Sequence, residues 1–211
     1  MDARPVLYDY WRSSASYRVR IALALKDIAY DRVSVDLVKG EQRAPEHLAI
    51  NPQGLVPAMA IDGHLLTQSL AIIEYLDETR PALPLLPDDA AGRARVRAIT
   101  QAIACEIHPV SNLMVLNKVE ALAGPEARTA WNEDNIARGL KGIEALLDHP
   151  ATGRFCHGDA PGLAECALIP QLYNARRWGV DFSHLPRIAA VSAACATLGV
   201  IASAHPDNFA P

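Results

Sequence analysis

Trp11-Arg12-Ser13-Ser14-Ala15-Ser16-Tyr17-Arg18-Val19-Arg20-Ile21-Ala22-Leu23 decides how the rest of the chain is read. The pattern over Val6 to Trp11 predicts a short strand, and Val19 to Leu25 reads as an apolar helix. Three serines and an arginine therefore occupy a strand-to-helix turn. A helix start exposes backbone N–H groups that have no partner inside the helix, and the aligned peptide dipoles add partial positive charge there. These residues alone leave two readings open. The serines cap the helix, as serine commonly does, or the turn holds an anion.

Working outward, Tyr30 to Val35 predicts a second strand, with a helix from about Tyr17 to Lys26 between the two. That is a βαβ unit, so the strands should be parallel and the crossover right-handed. Ala58 to Ile61 and Leu65 to Thr67 flank Asp62-Gly63, a two-residue hairpin signal. A helix over Ser69 to Thr79 places Ile72, Ile73 and Leu76 on one face and Glu74, Asp77 and Glu78 on another. Pro81, Pro84 and Pro87 then interrupt any helix and mark a linker. Beyond them the signals are helical: a stripe of Val96, Ile99, Ile103 and Ile107, then helices over roughly Pro125 to Leu147, Leu163 to Trp178 and Leu185 to Leu198. The expected organisation is an α/β domain over residues 1–81 and an all-helical domain over residues 88–211.

Composition excludes more than it identifies. The net charge is −4 and no basic cluster suggests nucleic acid. No apolar run approaches the roughly 18 residues of a membrane span. Asp2-Ala3-Arg4-Pro5 lacks the apolar stretch of a secretory signal, so none is expected. Cys105, Cys156, Cys166 and Cys195 are scattered without metal-ligand spacing. The expectation is no bound metal and reduced thiols in a cytoplasmic protein.

The serine turn is followed by Asn51-Pro52-Gln53-Gly54-Leu55-Val56-Pro57 and then by Gln68-Ser69-Leu70-Ala71-Ile72-Ile73-Glu74-Tyr75-Leu76. In this order and spacing the three motifs resemble the glutathione-binding half of a glutathione transferase. The turn with Val19 to Leu23 after it is similar to the zeta class in particular, and the resemblance runs over nearly the whole chain. It implies a thioredoxin-like α/β domain followed by an all-α domain, with glutathione as cofactor in the cleft between them. It implies as activity the cis–trans isomerisation of maleylacetoacetate or maleylpyruvate, small dicarboxylates, by a cytoplasmic homodimer. A general transferase that conjugates electrophiles is the first alternative, disfavoured by two arginines suited to an anionic substrate. A non-catalytic interaction module is the second, disfavoured because Ser13, Gln68 and Ser69 are retained.

The resemblance also assigns residues. Ser13 is implied to stabilise the cofactor thiolate through its hydroxyl, with Ser14 and Ser16 shaping the turn and Arg12 beside them. Ala15 stands where many zeta members carry cysteine, so no thiol operates in this turn. Val56 and Pro57 match a cis-proline element that pairs with the cofactor backbone, although base rates favour an ordinary trans bond. Gln68 and Ser69 are implied to hold the γ-glutamyl carboxylate at a helix start. Gln42, in a loop, matches a contact to the glycine carboxylate. Arg12 and Arg177 would clamp the substrate carboxylates, which guanidinium groups bind in a bidentate way, whereas Arg176 reads as a solvated charge. His108 and Asn112 lie four apart and would share a face on a continuing helix, with a kink at Pro109. Their His-Pro-x-x-Asn pattern looks like the maleylpyruvate isomerase branch and implies a place in the glutathione site, with Asn112 also facing substrate. Gly162 and Glu165 occupy a segment resembling the family's capping box, which serves folding.

Overall fold

The computed structural model describes residues 4–211. β1 (Val6–Asp9) alternates half-buried and buried positions, so Leu7 and Asp9 lie on its covered face. α1 (Ser14–Leu25) follows, and β2 (Asp31–Ser34) runs parallel to β1, as the βαβ reading requires. A 3₁₀ turn (Glu41–Arg43) and α2 (Pro45–Ile50) come next. β3 (Ala58–Ile61) and β4 (His64–Thr67) complete a sheet ordered β2-β1-β3-β4, with β3 antiparallel to both neighbours. The hairpin between them turns on Asp62 and Gly63, both at positive φ (52° and 76°). That is the mirror-image turn whose twist matches the strands, and Asp and Gly tolerate it. α3 (Ser69–Thr79) has the expected bounds and buries Ile72, Ile73 and Leu76, and it packs on α1.

The helical part opens with α4 (Ala90–Gln101), capped by the Asp89 carboxylate, which accepts from the Gly92 N–H at 2.7 Å. It continues as one π-helical stretch, Ala102–Ile107, into α5 (His108–Val110). The expected stripe is buried: Val96, Ile99, Ile103 and Ile107 are all 3% exposed or less. α6 (Leu113–Leu146) is two helical runs broken at Gly124 (φ 88°), just before Pro125. The expected helix began at Pro125; the run before the break lacks a strong apolar stripe and is mostly exposed. A Cβ on Gly139 of α6 would come within 2.3 Å of the Ile107 side chain, so α6 passes the π-helical turn where only glycine fits.

α7 (Leu163–Arg177) and α8 (Pro186–Ala196) are each started by a carboxylate rather than by a hydroxyl cap. Glu165 accepts from the N–H groups of Cys156 (2.8 Å) and Gly162 (2.7 Å), so one half of the capping box forms without a hydroxyl at Gly162. Burial pushes the Glu165 carboxyl above its ordinary range, opposed by those hydrogen bonds. Glu144 of α6 accepts from the N–H groups of Arg187 and Ile188 and so serves α8 from another helix. No helix among the described residues is long and apolar enough to cross a membrane.

The boundary differs from expectation at the C-terminus. One compact unit runs to Leu85 and also includes Gly199–Pro211; the other is Leu86–Leu198. The helical domain expected over residues 88–211 therefore loses its last segment to the first unit. α9 (Gly199–Ser203) packs on α1, and Arg20 explains the attachment. Its Nε donates to the Ala204 carbonyl at 3.2 Å, and its guanidinium lies 4.6 Å from the Phe209 ring centre.

Candidate active site

Strand direction brings the three motifs of the first unit to one end of the sheet's strands. Tyr8 pairs with Ala58, and Ala58 pairs with Thr67. The chain leaving β1 toward Ser13, the chain entering β3 through Val56-Pro57 and the chain leaving β4 through Gln68-Ser69 thus all meet at that end.

Ser13 is the N-cap of α1: its Oγ accepts from the Ser16 N–H at 3.2 Å. The capping reading is correct as geometry, yet it does not exhaust the side chain. A hydroxyl accepts through its lone pairs and still has one O–H to donate. Ser14 and Ser16 are buried at 8% and 0% exposure and shape the turn, and the Ser16 Oγ has no hydrogen-bond partner among the described residues. Ala15 follows Ser14 in the first turn of α1. Arg12 stacks its guanidinium 4.6 Å from the Trp11 ring centre and forms no ion pair among the described residues. The base of the turn is fixed from below. Arg20 Nη1 bridges both Asp9 oxygens at 2.8 Å, Nη2 donates to the Trp11 carbonyl at 2.8 Å, and Arg32 Nε reaches Asp9 at 2.9 Å.

The Val56-Pro57 bond is cis, as the motif implied. Val56 is 8% exposed, and neither its N–H nor its C=O makes a hydrogen bond among the described residues. Buried peptide groups are nearly always paired, so this pair is suited to an extended peptide ligand. Gln68 stands at φ 68°, ψ 117°, an unusual conformation for a side-chain-bearing residue, and its Nε2 donates to Gln53 Oε1 at 2.9 Å. Ser69 opens α3, where its Oγ accepts from Arg18 Nη1 at 3.2 Å in a buried contact. A guanidinium, a helix dipole and free N–H groups then favour an anion at the same point. Gln42 lies in the 3₁₀ turn and not in an irregular loop; its carbonyl faces Gly54, and its Oε1 is buried without a partner.

In the second unit, the helix runs through Pro109 but stops one residue beyond it. α5 ends at Val110, and Asn112 becomes the N-cap of α6, its Oδ1 accepting from the Met114 N–H at 2.9 Å. His108 and Asn112 therefore do not share a helix face, because the backbone at Asn112 has turned to an extended conformation (φ −65°, ψ 143°) that starts a new helix. Two contacts of α6 reach from this region to the end of α7. Trp131 Nε1 donates to the Val110 carbonyl, and Arg128, one turn earlier on α6, lies over the Trp178 ring at 5.8 Å. Arg177 ends α7 with its guanidinium 5.9 Å from the Tyr173 ring centre. Arg176 instead donates to Ser192 and lies over Phe182, in a shallow groove of about 450 Å³ that contains no expected site residue.

Arg18 and Gln53 hydrogen-bond Ser69 and Gln68 at this end of the sheet, and nothing in the sequence pattern singles them out. Arg18 sits in the quoted helix start, so its charge beside the serine turn was the available signal; for Gln53 the signal was only its place inside the proline motif.

The family described as glutathione S-transferase, N-terminal domain, matches residues 5–78, and glutathione S-transferase, C-terminal domain, matches residues 125–197. The chain is 57% identical over 213 aligned residues to the maleylacetoacetate isomerase of Rhizobium meliloti, covering all of both chains. A holo structure of a maleylpyruvate isomerase, titled a bacterial zeta-class glutathione S-transferase, superposes with a TM-score of 0.92 at 44% identity, over 95% of this chain and 96% of that one. The maleylacetoacetate isomerase of Methylobacterium extorquens AM1, solved with bound malonate and glutathione, gives 0.93 at 42% identity, over 98% and 99%.

Proposed function

The chain belongs to the glutathione transferase family, and from that membership we propose that it is a glutathione-dependent cis–trans isomerase of maleyl keto acids, maleylacetoacetate or maleylpyruvate. It has the family's thioredoxin-like domain and helical domain. In its own structure, the observation that carries the reading is Val56: a buried residue with both peptide groups unpaired among the described residues, at the same end of the sheet as a serine turn and an arginine-backed helix start. The glutathione and malonate bound by the Methylobacterium relative support a site that takes a peptide thiol and a dicarboxylate together.

We assign Val56 and Pro57 to the cofactor backbone, Gln68 and Ser69 to the γ-glutamyl carboxylate, and Gln42 to the glycine end. Ser14, Ala15 and Ser16 line the turn beside the thiol, and the family resemblance is what assigns His108 and Asn112 to the cofactor as well. Bound glutathione supplies the thiolate whose reversible addition lets the maleyl double bond turn from cis to trans. Ser13 donates its O–H toward sulfur and so favours thiolate over thiol. Arg12 and Arg177 hold the substrate carboxylates, and Asn112 also faces the substrate. A cytoplasmic homodimer is the proposed setting, supported by family resemblance and by four cysteines that form no disulfide.

The deciding assay follows both maleyl keto acids spectrophotometrically with and without glutathione. Turnover that requires glutathione and does not consume it is expected; conjugate accumulation would replace the isomerase reading with that of a general transferase. Arg12→Ala and Arg177→Ala should each lower kcat/KM for the keto acid about tenfold, some 1.4 kcal/mol, while sparing conjugation of an electrophile that has no carboxylate. Equal losses on both substrates would remove the clamp. Lysine at either position should recover only part of the loss, because a point charge lacks the bidentate fork.

A further inference from the structure

The carbonyl one residue before the proposed cofactor-binding peptide is held by two side chains. His47 Nε2 and Asn51 Nδ2 both lie 2.9 Å from the Leu55 oxygen. Both donors are buried, at 5% and 1% exposure. A carbonyl oxygen only accepts, so the His47 ring must carry its proton on Nε2. Its Nδ1 is buried without a partner among the described residues, and the Tyr8 ring meets His47 edge-on at 6.5 Å. Asn51 is fixed in turn, because its Oδ1 accepts from the Gln53 N–H at 3.1 Å.

The Leu55 oxygen and the Val56 N–H belong to one planar trans peptide and point in opposite directions. Fixing the oxygen therefore aims the N–H. Both acceptor lone pairs of Leu55 are used on one side, and the unpaired Val56 N–H projects from the other. We propose that His47 and Asn51 are positioning residues for glutathione: their two-donor clamp on the Leu55 carbonyl orients the Val56 N–H for the cofactor backbone. The proposal rests on the glutathione reading above and adds residues that touch no ligand themselves. The gain is pre-organisation, since a peptide plane that is already aimed loses no rotational freedom on binding.

The test measures glutathione affinity by calorimetry on the whole chain, with no substrate present. His47→Phe keeps an aromatic ring beside Tyr8 and removes the donor; it should raise the glutathione Kd about three- to fivefold. His47→Phe combined with Asn51→Ala should raise it about tenfold or more. His47→Gln returns an amide donor and should bring the Kd back to within about twofold of the parent. At saturating glutathione, kcat and the keto-acid KM should change little in His47→Phe, which a general loosening of the fold would not allow. A Kd unchanged in both the single and the double variant overturns the clamp, as does failure of glutamine to rescue. Parent protein that binds no glutathione overturns the site reading itself, which is a separate result. Nitrogen NMR of the parent histidine keeps the proposal exposed even if the variants fail to fold: the Nε2–H tautomer is expected, and an Nδ1–H tautomer sinks it.

Discussion

Arg20→Ala is expected to remove about 3 to 5 kcal/mol of folding free energy, read as a lower denaturant midpoint by circular dichroism. The pair it breaks is fully buried: the side chains of Arg20 and Asp9 are both 0% exposed, with Arg20 Nη1 2.8 Å from both carboxylate oxygens. Removing the guanidinium leaves a buried carboxylate with Arg32 as its one remaining ion partner among the described residues, and it strips the Trp11 and Ala204 carbonyls of a donor. Asp9→Ala should cost a comparable amount, by leaving the arginine unmatched. The double variant should cost clearly less than the sum, since neither partner is then stranded. A loss below about 1 kcal/mol in both single variants would mean that water reaches the pair and screens it.

Ser13→Ala is expected to lower kcat ten- to a hundredfold, about 1.4 to 2.7 kcal/mol of barrier. It should also raise the pH at which bound thiolate appears in ultraviolet difference spectra. The same change removes the α1 cap and should cost about 1 kcal/mol of stability, so one variant cannot separate the roles. Ser13→Asp separates them. A carboxylate caps well and suits a helix N-terminus, so stability should return. It has no proton to donate and repels a thiolate, so activity should not return. Activity that follows stability across both variants would reduce Ser13 to a cap.

The two units differ in how far the sequence disclosed them, for physical reasons. β1, β2, the hairpin and α3 were legible because period, turn chemistry and apolar face agreed; Asp62-Gly63 adopts the turn its residues favour, and α3 keeps its expected ends. α2 was not, because it is short and buries only His47. The π-helical turn and the Gly139 contact left no local pattern, since they depend on how close α6 passes to Ile107. The site followed the same rule. Motif residues near the serine turn were legible, whereas Arg18 reaches Ser69 across 51 positions and Gln53 reaches Gln68 across 15. His47 and Asn51 were silent because their work is done through a main-chain oxygen, which any residue at Leu55 would provide. Asn112 was placed on the wrong geometry because spacing by four means a shared face only while the helix survives.

The attachment of Gly199–Pro211 to the first unit has a consequence for how the chain is made. The Arg20 Nε finds its acceptor at Ala204, 184 positions later. A ribosome delivers about 5 to 20 residues per second, so the early βαβ unit waits on the order of ten seconds or more for that partner. During that interval the Arg20–Asp9 pair lacks the Ala204 carbonyl and the Phe209 ring. The first unit to be translated is thus among the last to be completed. Codon choice or pausing late in the message, far from any residue of the serine turn, would set how long that buried charge stays partly uncovered.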